Sequence, residues 1–111
     1  MLALRREYLD DVLEKAALLK EHGEALSVRK RFKTSFPVLL YISHQLKGSG
    51  GCLGFPHITE LAKKISVELN QFLEADSDPR PTPLKLSQSV VLIATELENR
   101  TRQATNQSIA S

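Results

Sequence analysis

The sequence predicts an all-α fold, an antiparallel four-helix bundle, in one domain over residues 1–111. Three observations predict it. Four amphipathic segments follow a period near 3.6 residues, and no stretch alternates convincingly with the period of two that a half-buried strand needs. The connections between the segments are short, which favours antiparallel neighbours. Aromatic residues are few (four Phe, two Tyr and no Trp), so the core must be mostly Leu, Ile, Val and Ala.

The first segment covers about residues 3–22. Leu9, Val12, Leu13, Ala16, Ala17, Leu19 and Lys20 follow the helical period, with Asp10, Asp11 and Glu14 on the other side. Gly23 reads as its C-cap, and His22 suits the negative end of a helix dipole. The second segment runs from about residue 25 to 52 and is expected to be interrupted. "SVRKRFKTSFP" is basic and polar, and Pro37 lacks the N–H that a smooth helix uses. A break or kink is expected between Thr34 and Pro37, with Thr34 or Ser35 capping the helix that resumes after it. From Val38 onward the apolar pattern is clear. The third segment starts near Pro56, a residue suited to a first helical turn. Its stripe is Ile58, Leu61, Ala62, Ile65, Leu69, Phe72 and Leu73. "EADSDPRPTP" then reads as a linker, with three prolines and no periodicity. The fourth segment, about 84–102, carries Leu86, Val90, Ile93, Ala94 and Leu97. A frayed tail is expected over about 103–111.

Composition narrows the function classes. A hydrophobic fraction of 41% and a charged fraction of 25% describe an ordinary globular protein. The net charge of +2 is too weak to argue for nucleic acid or an anionic membrane. The lone Cys52 rules out an internal disulfide and lacks the companions of a zinc site. No apolar run approaches the roughly 20 residues needed to span a bilayer. "MLALRREYLDD" becomes charged too soon for a secretory signal. A cytoplasmic, monomeric module without membrane contact is expected. It is either free-standing or a piece of a larger, even membrane-anchored, protein.

The informative stretch is "SHQLKGSGGCLG", Ser43 to Gly54, which holds four of the five glycines beside a histidine. On a helical wheel with His44 at the top, Leu39, Ile42, Leu46, Ser49 and Leu53 fall within roughly 40° of the bottom, the face a bundle buries. Leu40, Tyr41, Lys47, Gly48 and Gly51 surround His44 on the outer face. Each helical Gly costs about 1 kcal/mol relative to Ala, so bare backbone here calls for a reason. Gly48 and Gly51 lie under the imidazole and leave it open to another protein's backbone. Gly50 faces the neighbouring helices, or, with Gly51, simply marks a helix end. An exposed imidazole nitrogen is a nucleophile near pH 7 and can take and release a phosphoryl group. Lys47, one turn on, supplies positive charge for phosphate oxygens. There is no Walker pattern, no nucleotide loop and no acidic metal cluster. Such a site holds a nucleophile and one cation, and some partner must bring the rest.

"HQLKGSGGCLG" resembles the signature of histidine-containing phosphotransfer (HPt) domains: His44, then Lys47, Gly48, Ser49 and, ten residues on, Gly54. "HITELAKKISVEL" is similar to the family's following helix. The resemblance covers about residues 36–73 and is only architectural for the outer helices. It implies an HPt-like bundle with the histidine on the exposed face of the second long helix. It implies a phosphocarrier of two-component phosphorelays, not an enzyme in its own right. His44 would be the phosphorylation site, Lys47 the charge partner and Gly48 the small residue admitting a receiver, with Leu40, Tyr41 and Gly51 at the docking rim. The implied partners are response-regulator receiver domains or a hybrid sensor histidine kinase. No cofactor and no metal belong to this chain, because magnesium would sit on the receiver. The long basic link ending at Pro37 departs from the family's pattern.

Other readings stand beside this one. The chain could receive phosphate from ATP through a kinase domain, as the phosphorylation domain of a chemotaxis-type kinase does. It could be an unphosphorylated helical scaffold for receiver-like partners. Arg29, Lys30, Arg31 and Lys33 could bind nucleic acid, or form a solvated face. Phe36 either joins an apolar rim around His44 or packs into the core. His57, beside Pro56, reads as structural or idle, and Cys52 as a small partly buried residue.

Overall fold

A computed structural model describes the backbone of residues 2–50, 54–74 and 82–110, with side chains described between residues 5 and 106 of these. Four helices make up the described residues, and no strand occurs among them: α1 (Leu2–Ala25), α2 (Arg29–Ser49), α3 (Pro56–Glu74) and α4 (Pro83–Ala110). α1 and α3 each pack against both α2 and α4. The molecule is about 50 Å long and 21 by 18 Å across.

The apolar stripes fill the centre. Leu9, Val12, Ala16 and Leu19 of α1, Leu39, Ile42 and Leu46 of α2, Ile58, Leu61, Ala62, Ile65 and Leu69 of α3 and Leu86, Val90, Ala94 and Leu97 of α4 form one buried cluster. Ala17 and Leu73, assigned to the stripes by periodicity, are exposed at the stripe edges. Thr101 extends the α4 stripe by one turn and is fully buried.

Contacts between helix ends fix the arrangement. Near the start of α1, the Tyr8 hydroxyl lies 2.8 Å from Ser49 Oγ, at the end of α2. Near the end of α1, His22 Nδ1 lies 3.0 Å from Ser35 Oγ, early in α2. Phe32 of α2 packs on Phe72 near the end of α3, ring centres 5.5 Å apart. His57 of α3 reaches Thr101 Oγ1, far along α4, at 3.4 Å. Ser87 Oγ, early in α4, donates to the Gly23 carbonyl at 2.6 Å.

Four local expectations are corrected. Gly23 does not cap α1, because the helix runs on to Ala25. Its bare Cα admits α4: a Cβ there would stand 3.0 Å from Val90 Cγ1 and 3.1 Å from Val91 Cγ2. The basic stretch is no link but the first turns of α2, which starts at Arg29 after a tight turn closed by Leu26, Ser27 and Val28 N–H bonds three residues back. Neither Thr34 nor Ser35 caps a helix. Ser35 is buried inside α2, and Val28 occupies the N-cap without a side-chain bond. The helix is also continuous through Pro37.

The physical reason lies in burial on the opposite side. Pro37 is exposed, so its ring points to solvent and the carbonyl it leaves unpaired, that of Lys33, belongs to an exposed residue. An interior proline costs about 3 kcal/mol. Against that, Phe36 and Leu39 are buried and Phe32 half-buried, each such side chain contributing roughly 1.5–3 kcal/mol when fully buried. Breaking the helix would unseat all three. Phe36 therefore belongs to the core, stacked on Phe32 at 5.4 Å and tilted on Phe72 at 6.2 Å, and not to a rim around His44.

The remaining boundaries follow sequence chemistry. α3 opens on Pro56 as expected. α4 opens one residue early, with Pro83 in the first turn and Thr82 Oγ1 accepting the Lys85 N–H at 3.1 Å. α4 then continues past Arg102 to Ala110. Gly51, Cys52, Leu53 and residues 75–81 of the linker lie outside the described residues.

Candidate functional site

His44 is exposed on α2, four turns in. The side chains opposite it on the wheel are buried: Leu39 and Leu46 fully, Ile42 almost so. Ser43, its neighbour, is also fully buried and returns its hydroxyl proton to its own helix, Oγ donating to the Leu40 carbonyl at 3.1 Å. The imidazole is thus exposed on a turn whose Ile42, Ser43 and Leu46 face inward.

Lys47 and Gly48, one turn on, are exposed with it. No described side chain or neighbouring helix comes within 4 Å of the place a Gly48 Cβ would take. Packing against the described side chains therefore gives no reason for a glycine at 48. Gly50 contrasts with it. A Cβ there would stand 2.6 Å from Thr59 Oγ1 and 2.8 Å from the Thr59 backbone nitrogen, so α3 can approach the end of α2 only because Gly50 is bare. Gly54 has φ +84°, a left-handed conformation that favours glycine. The glycines next to His44 thus have separate causes.

On the other flank, Tyr41 is 64% exposed and its hydroxyl accepts a hydrogen bond from Gln45 Nε2 at 2.9 Å. Leu40 is half-buried, one side packed against the core. Gly51, the third rim residue expected from the sequence, lies outside the described residues.

The end of α2 is braced from α1 by residues that sequence reading passed over. Tyr8 bonds to Ser49, and its ring stacks on Phe55 at 6.1 Å. The Arg5 guanidinium sits 5.2 Å over the same Phe55 ring, a cation–π contact. The only hint in the sequence was a tyrosine one residue before Leu9 of the α1 stripe. Nothing local tells which distant helix its hydroxyl reaches.

The other two histidines each contact a side chain of a neighbouring helix. His22 is held by Ser35. His57 stands edge-on to Phe55 at 6.3 Å, near Thr101. Partial burial, reinforced by the positive charge of Arg100 and opposed by Glu60, holds His57 below its ordinary pKa of 6.5.

A cavity of about 500 Å³ opens at the other end of α2, floored by Leu26, Phe32 and Phe72 beneath Arg29 and Lys33. At 1.5 Å per residue, Lys33 is about 16 Å along the helix from His44, so this cavity is no part of the histidine site. Among the described residues, no group of three His, Cys, Asp or Glu side chains could hold a metal ion. Among them, too, no helix is long and apolar enough to cross a membrane.

The chemistry available at His44 is therefore that of one accessible imidazole, one ammonium a turn away and a stretch of backbone bare of side chain. Comparison with protein-family models, with curated proteins and with solved structures finds no match to this chain.

Proposed function

We propose that the chain is a cytoplasmic phosphocarrier, an antiparallel HPt-like bundle whose His44 accepts a phosphoryl group from a receiver-domain aspartate and relays it to another. The observation that carries this reading is the exposed His44–Lys47–Gly48 set, one turn of α2.

The step balances without a cofactor on this chain. A free imidazole nitrogen attacks phosphorus, the N–P bond forms as the acyl-phosphate P–O bond breaks, and the aspartate leaves as carboxylate. The reverse step passes the group on. The Lys47 ammonium offsets charge on the equatorial oxygens, and the missing side chain at 48 leaves room for the donor's loops. In this reading the donor activates the phosphoryl group, and the chain supplies the nucleophile and the Lys47 charge.

Transfer of labelled phosphate from a panel of phosphorylated receiver domains tests the reading. One or more receivers should label the wild-type chain in an acid-labile, alkali-stable form and leave His44→Gln unlabelled. Equal labelling of both would take the phosphoryl group away from His44 and overturn the reading; no labelling by any receiver, with a variant that supports partner binding and signalling like the wild type, would replace the phosphocarrier with a passive scaffold.

A further inference from the structure

The charge of this protein is gathered on one helix. α2 holds five basic residues, Arg29, Lys30, Arg31, Lys33 and Lys47, and no acidic one. The whole chain has 15 basic and 13 acidic residues, so the rest carries ten of one against thirteen of the other, a net −3. Within α2 the cations are not scattered. With His44 at 0° and about 100° per residue, Lys33 falls near −20°, Lys30 near +40°, and Arg29 and Lys47 near −60°. Pro37, Leu40 and Tyr41 fill the interval at about +20°, −40° and +60°. Only Arg31, near 140°, stands apart. One continuous face thus runs from Arg29 to Gly48, and all of its members except half-buried Leu40 are exposed.

The fold does not explain this face. Ion pairs among the described residues join Asp11 to Lys15, Lys20 to Glu98 and Glu96 to Arg100, all on α1 and α4. Arg29 and Lys33 repel each other one turn apart. The cations also crowd the positive end of the helix dipole, with no acid in the first turn and no side-chain cap at Val28. Each feature works against α2 as an isolated helix.

We propose that this stripe is the second half of the docking surface around His44, and that it recognises a partner protein carrying an acidic patch roughly 15–20 Å from its phosphoryl-bearing aspartate, the span from His44 to Lys33 and Lys30 at 1.5 Å per residue. The inference rests on the phosphotransfer reading of His44. A protein is favoured over a nucleic acid because the basic end shares its face with the histidine and is joined to it by Leu40 and Tyr41, an apolar bridge with no cations. Complementary charge of this kind sets encounter rate and orientation and fades with added salt, whereas the transfer step at His44 does not depend on it.

Lys30→Glu/Lys33→Glu, two exposed changes, tests the stripe. Lys85→Glu/Arg102→Glu, on exposed α4 positions, shifts net charge equally and serves as the control. Labelling of His44 by the small donor phosphoramidate should be unchanged in both. With receiver domains of graded surface charge, binding and kcat/KM for transfer should favour acidic receivers. Both should fall roughly tenfold in the α2 variant at 50 mM salt, converge with wild type at 500 mM, and stay near wild type in the control. Equal rates and affinities for wild type and the α2 variant would overturn the stripe and leave the phosphotransfer reading standing. An acidic receiver that binds with the expected salt and charge dependence but never labels His44 would uphold the stripe and remove phosphotransfer. Failure of every receiver to bind at 20 mM salt, or tighter binding of a random-sequence DNA duplex than of any receiver, would overturn the stripe.

Discussion

Gly48 and Gly50 stand two residues apart, and the same substitution should move stability in opposite directions at each. A Gly48→Ala side chain would meet nothing described within 4 Å, so helix propensity favours the change and stability should rise by up to about 1 kcal/mol. The added methyl under the imidazole should at the same time slow transfer from a receiver. Gly50→Ala would drive a Cβ into the Thr59 backbone at 2.8 Å, which cannot swing aside as a flexible side chain does. Thr59 Oγ1, at 2.6 Å from the same point, is already buried without a hydrogen-bond partner. A loss of about 1–3 kcal/mol is expected from such overpacking. Urea denaturation of the two variants checks the pair, and a shared sign would refute the distinction between an open glycine and a packed one.

At the scale of the element, α2 is a helix kept whole by its inner face. Its outer face holds a proline, a histidine and repelling cations; its inner face holds Phe36, Leu39, Ile42 and Leu46. Pro37→Ala should therefore stabilise the protein, by about 1–3 kcal/mol, since it restores an N–H and removes the ring's clash while leaving every buried contact in place. A higher urea midpoint with unchanged helical circular dichroism is the expected result. A fall in stability would mean that α2 needs the proline, for instance to set its course between the Phe32–Phe72 cluster and the His44 end.

At the scale of the whole molecule, His57 couples bundle stability to pH. Its pKa is lowered in the fold by burial, then by Arg100, with Glu60 opposing. A depressed histidine pKa means that the unfolded chain binds the proton more readily. Stability is then full above the ordinary value near 6.5 and declines as pH falls from there toward the folded pKa. Melting temperature should drop on going from pH 7 to pH 5, and His57→Gln should flatten that part of the profile. Carboxylates add their own slope at lower pH, so the comparison is the difference between the two proteins. Parallel profiles would show that the Phe55–His57–Thr101 contact does not sense protons.

The sequence by itself determined the helical class and most of the four stripes, because each depends on neighbours three or four residues away along one helix. Pro56 was an equally local signal for a helix start, whereas Pro83, which opens α4, read as the end of the linker. What only the tertiary structure decided is where local signals conflicted with packing. Pro37 reads as a break until Phe32, Phe36 and Phe72 are seen closing over the far side. Gly23 reads as a cap until Val90 and Val91 press on it. Tyr8 and Arg5 carry no mark of their part in bracing Ser49 and Phe55. Those outcomes turn on contacts between residues tens of positions apart, whose burial free energy outweighs a local preference and leaves no period in the chain to read.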